Sequence, residues 1–258
     1  MKHIISLVIR FIPRKYLQLF SHFFLRIISV FYKGKNVSCP VCHSHFRKFL
    51  PYGRKPPREN ALCPQCLSLE RHRLLWLFLK NETDFFSAPH KLLHIAPELC
   101  YIDRFEKLSN LDYITADLES PLAKVKLDVQ QMSFNDNHFD IVFCNHVMEH
   151  VTDDHQAMRE IFRVLKPGGW AIIQSPQDYG MQQTKEDPTI KNPSEREKAF
   201  KQRDHLRLYG LDYGQRLSKA GFTVEEIKYA AKLNEQEVQK HCLPADEIIY
   251  LCKKFPVS

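Results

Sequence analysis

The stretch from Phe139 to Gln174, FDIVFCNHVMEHVTDDHQAMREIFRVLKPGGWAIIQ, leaves this chain few folds to choose from. Phe139–Cys144 is a short apolar run centred on Ile141 and Val142, with Asp140 and Asn145 near its ends. Such a run reads as a strand buried on both faces. Thr152, Asp153 and Asp154 then supply an N-cap and acidic residues that suit the positive end of a helix. Met158, Ile161, Phe162 and Leu165 follow on one helical face. Lys166 falls in the last turn, Pro167-Gly168-Gly169 stops the helix, and Trp170–Gln174 reads as a second strand. Strand, helix and strand with short links make a right-handed βαβ unit with parallel strands.

Charge divides the rest of the chain. Residues 1–58 hold 12 Lys and Arg and no Asp or Glu, so the remaining 200 residues carry a net charge of −5 within a total of +7. With 258 residues and 44% apolar content, either one large domain or one domain with small additions is expected. Residues 1–35 read as a basic, apolar leader in which Pro13 would separate two helices. Its longest uncharged run, Tyr16–Leu25, is ten residues. A membrane span needs roughly 18–20. No small-x-small cleavage site follows, so neither a span nor a secretory signal is expected. Two readings remain: a helix lying on an anionic membrane surface, or an apolar face packed on the protein's own body.

Residues 36–66 carry Cys39-Pro-Val-Cys42 and Cys63-Pro-Gln-Cys66, two C-x-x-C pairs separated by 20 residues. Each pair makes a tight turn that aims two sulfurs at one ion, and four thiolates close a tetrahedron, so a structural zinc site is expected. His43 and His45 are spare donors beside the first pair. Metal thiolates also point to a reducing, cytoplasmic compartment. Between the pairs, Arg47, Lys48, Arg54, Lys55 and Arg58 mix with Phe46, Phe49 and Tyr52. That mixture reads first as a solvated surface and second as a nucleic-acid contact. Leu67–Lys80 reads as a helix within a 67–87 linker, and residues 88–258 as the main domain.

In that domain Lys91–Ala96 reads as a first strand, Asp112–Asp117 as a second and Lys126–Val129 as the end of a third. The FDIV strand, the Glu149-His150 pair and the RVLKPGG turn follow in order, and together they resemble the class I S-adenosylmethionine-dependent methyltransferases. The resemblance covers about residues 90–253. It implies an α/β, doubly wound, mostly parallel seven-stranded sheet of order 3-2-1-4-5-7-6, its last strand antiparallel. Leu211–Ala220 would then be a late helix, and Phe222–Ile227 and Glu247–Cys252 the last two strands.

The resemblance also implies a site at the strand tips. Ala96, Glu98 and Cys100 stand where the family has a glycine-rich cofactor loop, and His94 where it has an acid. Asp117 lies 20 residues after Pro97, near the spacing of an acid that binds ribose hydroxyls. Asp128 would accept from the adenine amino group, with Val129 and Met132 along the base. Asn145 and His146 follow the fourth strand, where cofactor and acceptor meet, and His146 is a candidate base. The insertion at residues 175–209 reads as the substrate-selecting cover; it supplies His205 as a second candidate base and Arg207 as either an anion anchor or part of a surface salt-bridge face.

His146-Val-Met-Glu149-His150 also matches H-x-x-E-H, an inverted zinc-peptidase signature, but it follows a strand and shows no clear third ligand downstream. The expected function is methyl transfer to a small-molecule, glycan or lipid-precursor acceptor. The alternatives are a non-catalytic assembly module at a membrane surface and a nucleic-acid methyltransferase guided by the zinc module.

Overall fold

The computed structural model describes residues 25, 27–53 and 56–255. Most of the basic apolar leader expected over residues 1–35 lies outside the described residues, as do Arg54 and Lys55. Among the described residues no helix is long and apolar enough to cross a membrane.

The chain forms two compact units, and they interleave in sequence. One takes residues up to Phe86 together with Glu98–Lys107 and Lys228–Glu247; the other takes Ser87–Pro97, Leu108–Ile227 and Ile248 onward.

The first unit is built on two small hairpins. Strands β1 (Lys33–Ser38) and β2 (His45–Phe46) pair antiparallel, as do β3 (Leu50–Tyr52) and β4 (Arg58–Leu62). The linker helix runs from Glu70 to Glu82, later than the expected Leu67 start. The first C-terminal residue after each C-x-x-C pair, His43 and Leu67, has positive φ, so the chain is still turning there. His72 Nδ1 accepts from Leu69 N–H at 3.1 Å and closes the N-terminus of the helix. Leu74, Leu75, Trp76, Phe78 and Leu79 are buried. Trp76 stacks on Tyr101 and Phe105 of the Leu99–Phe105 helix.

Arg73 is wholly buried; five bonds to the carbonyls of Asn60, Ala61, Ser68, His241 and Cys242 hold its guanidinium. A planar fork with five donors is the side chain that can satisfy carbonyls from several segments at once.

The second unit holds β5 (His90–Ile95), β6 (Leu111–Asp117), β7 (Val125–Lys126), β8 (Phe139–Asn145), β9 (Leu165–Gln174), β10 (Lys185–Glu186), β11 (Arg207–Leu208), β12 (Thr223–Ile227) and β13 (Ile249–Lys253). Seven of them form one sheet in the order β12-β13-β9-β8-β5-β6-β7. Numbered within the sheet this is 3-2-1-4-5-7-6, with β13 antiparallel to both neighbours, as the resemblance implies. The third strand ends at Lys126, short of the expected Val129, because Asp128 turns back to bridge Gln131. The late helix spans Tyr213–Lys219, and β10 and β11 form a separate antiparallel pair.

The βαβ unit forms where expected. Asp153 caps the Asp154–Val164 helix by accepting from Gln156 N–H at 2.8 Å. Ala157, Met158, Ile161 and Val164 face the core, packed with Leu93, Ile95, Val142, Cys144, Ala171 and Ile173 from one face of the sheet. The helix stops at Val164, so the Lys-Pro-Gly-Gly turn belongs to the irregular start of β9 rather than to the last turn. Gly168 has φ +83°, a conformation that strains any residue with a Cβ. At Gly169 a Cβ would lie 2.6 Å from the Asp140 carbonyl oxygen, so no side chain fits.

Candidate functional site

Strand register brings the tip residues into one row. Ile95 of β5 pairs with Ala116 of β6 on one side and with Cys144 of β8 on the other. The next residues, Ala96, Asp117 and Asn145, therefore continue the row across three adjacent strands. Asp117 and Asn145 are two strand spacings apart, roughly 10 Å. The chain order reverses between β5 and β8, the point at which doubly wound sheets open a crevice at their carboxyl ends. Ala96 (φ +51°) and His146 (φ +57°) are both left-handed. Ala96 N–H is held by the Ala116 carbonyl at 2.9 Å and His146 N–H by the Gln174 carbonyl at 2.7 Å. The backbone thus turns sharply at the tips of both strands that border the switch point.

The other expected cofactor residues divide into groups near the row and groups in the core. Asp117 Oδ1 accepts from the N–H groups of Glu119 and Ser120 at 2.8 and 2.6 Å. That turn fixes the carboxylate and leaves Oδ2 for an outside donor. Asp128, exposed on the loop after β7, uses Oδ1 in the same way with Gln130. Gln130 accepts in turn from Thr152 Oγ and Asp153 N–H, tying this loop to the helix N-terminus. Val129 and Met132 are core residues, each 5% exposed. Their side chains pack under the sheet instead of lining an open wall. His94 is buried as well, its Nδ1 bonded to Tyr113 Oη at 2.8 Å and its ring edge-on to Phe143. It links neighbouring strands within the core and does not present itself at the tips. Glu98 and Cys100 fall in the first unit, Glu98 at the N-cap position of the Leu99–Phe105 helix and Cys100 buried within that helix. Of the three expected glycine positions only Ala96 needs a glycine-like backbone.

Beyond the row, four ionisable side chains gather at the tips of β8 and β9. Glu149 is 2% exposed; its Oε2 accepts from Ser175 Oγ at 2.8 Å. Its Oε1 lies 3.5 Å from His146 Nδ1 and 3.9 Å from His150 Nε2. Burial pushes the Glu149 carboxyl up, but the hydrogen bond and charge of His146 and the charge of His150 outweigh it and hold the group below its usual value. The His205 ring packs edge-on to His150 with centroids 4.9 Å apart, and burial lowers its affinity for a proton against the pull of Glu149. The two candidate bases expected from sequence, His146 and His205, thus flank one buried carboxylate.

Arg207 explains how a residue 55 positions downstream of His150 arrives there. Its guanidinium donates to the carbonyls of Met148, Val151 and Thr152 at 2.7, 2.6 and 3.0 Å, while Leu206 N–H donates to the Glu149 carbonyl. The 205–207 segment is stapled along the 148–152 loop. Arg207 is 4% exposed and committed to backbone and to Glu186, so the expected anion anchor is a positioning residue instead. Sequence reasoning missed Glu149 as the centre of the group. The H-x-x-E-H pattern was visible, but its partner on a distant loop was not.

In the first unit the four expected sulfurs converge. Cys39 Sγ lies 3.6 Å from Cys66 Sγ, and Cys42 Sγ 3.7 Å from Cys63 Sγ. A tetrahedron of Zn–S bonds of about 2.3 Å has edges of about 3.8 Å, so the spacing fits a zinc ion. The two turns repeat each other: Cys39 N–H bonds Ser44 O and Cys63 N–H bonds Ser68 O, both at 2.9 Å. Ser68 Oγ touches the sulfurs of Cys39 and Cys66. The neighbouring Cys39 and Cys42 push the Cys63 and Cys66 thiols up, while hydrogen bonds from Cys39 and Cys63 push Cys42 down.

Comparison with known proteins gives three findings. Residues 91–173 match the family described as methyltransferase domain. A ubiquinone/menaquinone biosynthesis C-methyltransferase from Vibrio cholerae is 39% identical over 49 residues, 19% of each chain. A sterol 24-C-methyltransferase from Aspergillus fumigatus is 48% identical over 52 residues, 20% of this chain and 14% of the other. The chain thus spans about a fifth or less of the curated relatives it matches. Among solved structures, an S-adenosylmethionine dependent methyltransferase from Mesorhizobium loti aligns at 12% identity and a TM-score of 0.46, over 69% of this chain and 96% of that one.

Proposed function

We propose, from the premise that residues 91–173 belong to the class I S-adenosylmethionine-dependent methyltransferases, that this protein transfers a methyl group from S-adenosylmethionine to an apolar or lipid-like acceptor. The observation that carries the reading is the row of Ala96, Asp117 and Asn145 at the switch point, with Asp117 oriented and one of its oxygens unspent. In this reading Asp117 Oδ2 accepts from vicinal ribose hydroxyls, and Asp128 from an exocyclic amino group. Bound there, S-adenosylmethionine supplies a sulfonium whose methyl carbon is open to in-line displacement. The protein's own task is to position, to exclude water and to move a proton. With Nδ1 facing Glu149, His146 keeps its proton on that nitrogen and leaves Nε2, buried and without a hydrogen-bond partner, as the lone pair that takes the acceptor's proton.

A structural zinc ion in the four-cysteine cage belongs to the same reading. The acceptor class is supported by Ile27, Ile28, Val30 and Phe31, exposed in sequence just before Lys33 and Lys35, which form an amphipathic edge suited to an anionic membrane surface. The matched relatives' names, quinone biosynthesis and sterol methylation, lean the same way.

Calorimetry tests the premise: one S-adenosylmethionine or S-adenosylhomocysteine per chain is expected at micromolar affinity, and no heat at millimolar ligand ends the enzymatic reading. Flotation with anionic vesicles tests the surface contact. Recovery with vesicles that Phe31→Ser and Ile28→Ser together abolish is expected; equal recovery of both proteins refutes the contact.

A further inference from the structure

We infer that Glu149, His150 and His205 form a binding site for a divalent transition-metal ion of the zinc class, separate from the four-cysteine cage. One carboxylate oxygen and one nitrogen of each imidazole all lie within 4.8 Å of one another. Two imidazoles and a carboxylate are the donor set of three-ligand zinc sites, which keep a fourth position open. A tetrahedral ion with bonds of about 2.1 Å needs ligand edges of about 3.4 Å. The 3.9 Å between Glu149 Oε1 and His150 Nε2 is therefore within a small side-chain adjustment of closing.

The atoms that would not bind metal are already held. His150 points Nδ1 at the Asp204 carbonyl oxygen, 3.2 Å away, so its proton sits there and Nε2 carries the lone pair. A metal-binding imidazole commonly anchors its second nitrogen in this way. Glu149 Oε2 is fixed by Ser175 Oγ, which leaves Oε1 for the ion. His205 is 2% exposed; the Phe200 backbone engages one nitrogen of its ring, and the other has no partner. A buried imidazole nitrogen left idle is costly, and an ion beside it removes that cost. His150 is 37% exposed along its side chain, which leaves a route for the ion from solvent.

This arrangement differs from the H-x-x-E-H pattern. His146, the first residue of that pattern, lies outside the ligand set, and the second imidazole comes from the insertion. The site stands without the methyl-transfer reading. Only its use depends on that reading: the open position would take an oxygen donor of the acceptor, a hydroxyl, enol or carboxylate, beside His146.

The test is metal content of the full-length, reduced protein equilibrated with zinc at low micromolar free concentration, then with cobalt(II). Two equivalents per chain are expected. One should give the strong thiolate charge-transfer absorption of the cysteine cage; the other should give only weak d–d bands. His150→Ala and His205→Ala should each lose the weak-band equivalent alone, weakening that ion by more than the 10–100-fold that an outer partner is worth. His150 lies at the surface, so its variant folds even if the buried His205→Ala does not. Cys63→Ser should remove the thiolate absorption and spare the weak bands. One equivalent with a thiolate-only spectrum overturns the site, as does a second equivalent that survives both histidine changes. Neither readout needs S-adenosylmethionine, so failure here is distinguishable from failure of cofactor binding.

Discussion

At the scale of single residues, the functional tips of the sheet rest on side chains that do backbone work. Asp117 spends one oxygen on its own turn, so the binding proposed for it falls to the other. Asp117→Ala is expected to weaken S-adenosylmethionine by about 10–100-fold in calorimetry, the worth of about 1.5–3 kcal/mol for hydrogen bonds to a charged group. Ala96 sits at φ +51°, where a Cβ costs about 1–2 kcal/mol. Ala96→Gly should therefore raise the urea midpoint slightly, and Ala96→Val should lower it. An unchanged midpoint in both would mean that the turn carries no strain. The departure from a glycine-rich loop was legible in the sequence. That Cys100 and Glu98 never needed to be glycine was not, because their conformations are set by a helix that the motif alone does not reveal.

At the scale of elements, the Asp154–Val164 helix was legible almost to the residue, since cap, apolar stripe and stop signals agree. The cluster at the tips of β8 and β9 was not. His205 reaches it because Arg207 staples a distant segment to three carbonyls, and no local pattern encodes that pairing. Arg207→Ala should cost about 2–4 kcal/mol, since it strands buried carbonyls. It should also detach His205, seen as a change in that ring's NMR shifts. Asp154, at the first turn of the helix, bonds Arg216 at 2.9 Å and Tyr209 Oη at 2.7 Å. Burial raises its carboxyl, but Arg207, Tyr209 and Arg216 together bring it below 3.8. A carboxyl depressed in the folded state stabilises above its unfolded value and loses that contribution as pH falls through the folded one. Stability of the wild type should therefore fall on acidification below about pH 4. Asp154→Asn should be about 3–5 kcal/mol less stable at neutral pH, and its acid limb shallower, by urea denaturation at each pH.

At the scale of the whole molecule, sheet order and the four-cysteine cage were both anticipated, the first through the family resemblance and the second from matched spacing. The grouping of residues was not. A linear reading divides the chain near residue 87, yet Glu98–Lys107 and Lys228–Glu247 fold with the cysteine-bearing unit. Hydrophobic pattern shows that a helix exists, not which core it joins. On the proposed zinc-bound cage, a strong chelator under reduction should melt this unit, Tyr101 and Tyr229 included, at a temperature where the sheet persists. Coincident loss of both in calorimetry would contradict independent units.

The Arg73 knot gives this interleaving a practical edge. Its five carbonyls come from residues 60, 61, 68, 241 and 242, near opposite ends of the described chain. A shortened gene beginning at residue 88 would therefore not isolate the sheet-bearing unit cleanly from the cysteine-bearing one. It would release a torso with frayed seams, the 241–242 strip dangling and the Tyr101 helix robbed of Trp76. Silence from such a fragment would report a torn garment, not an absent activity.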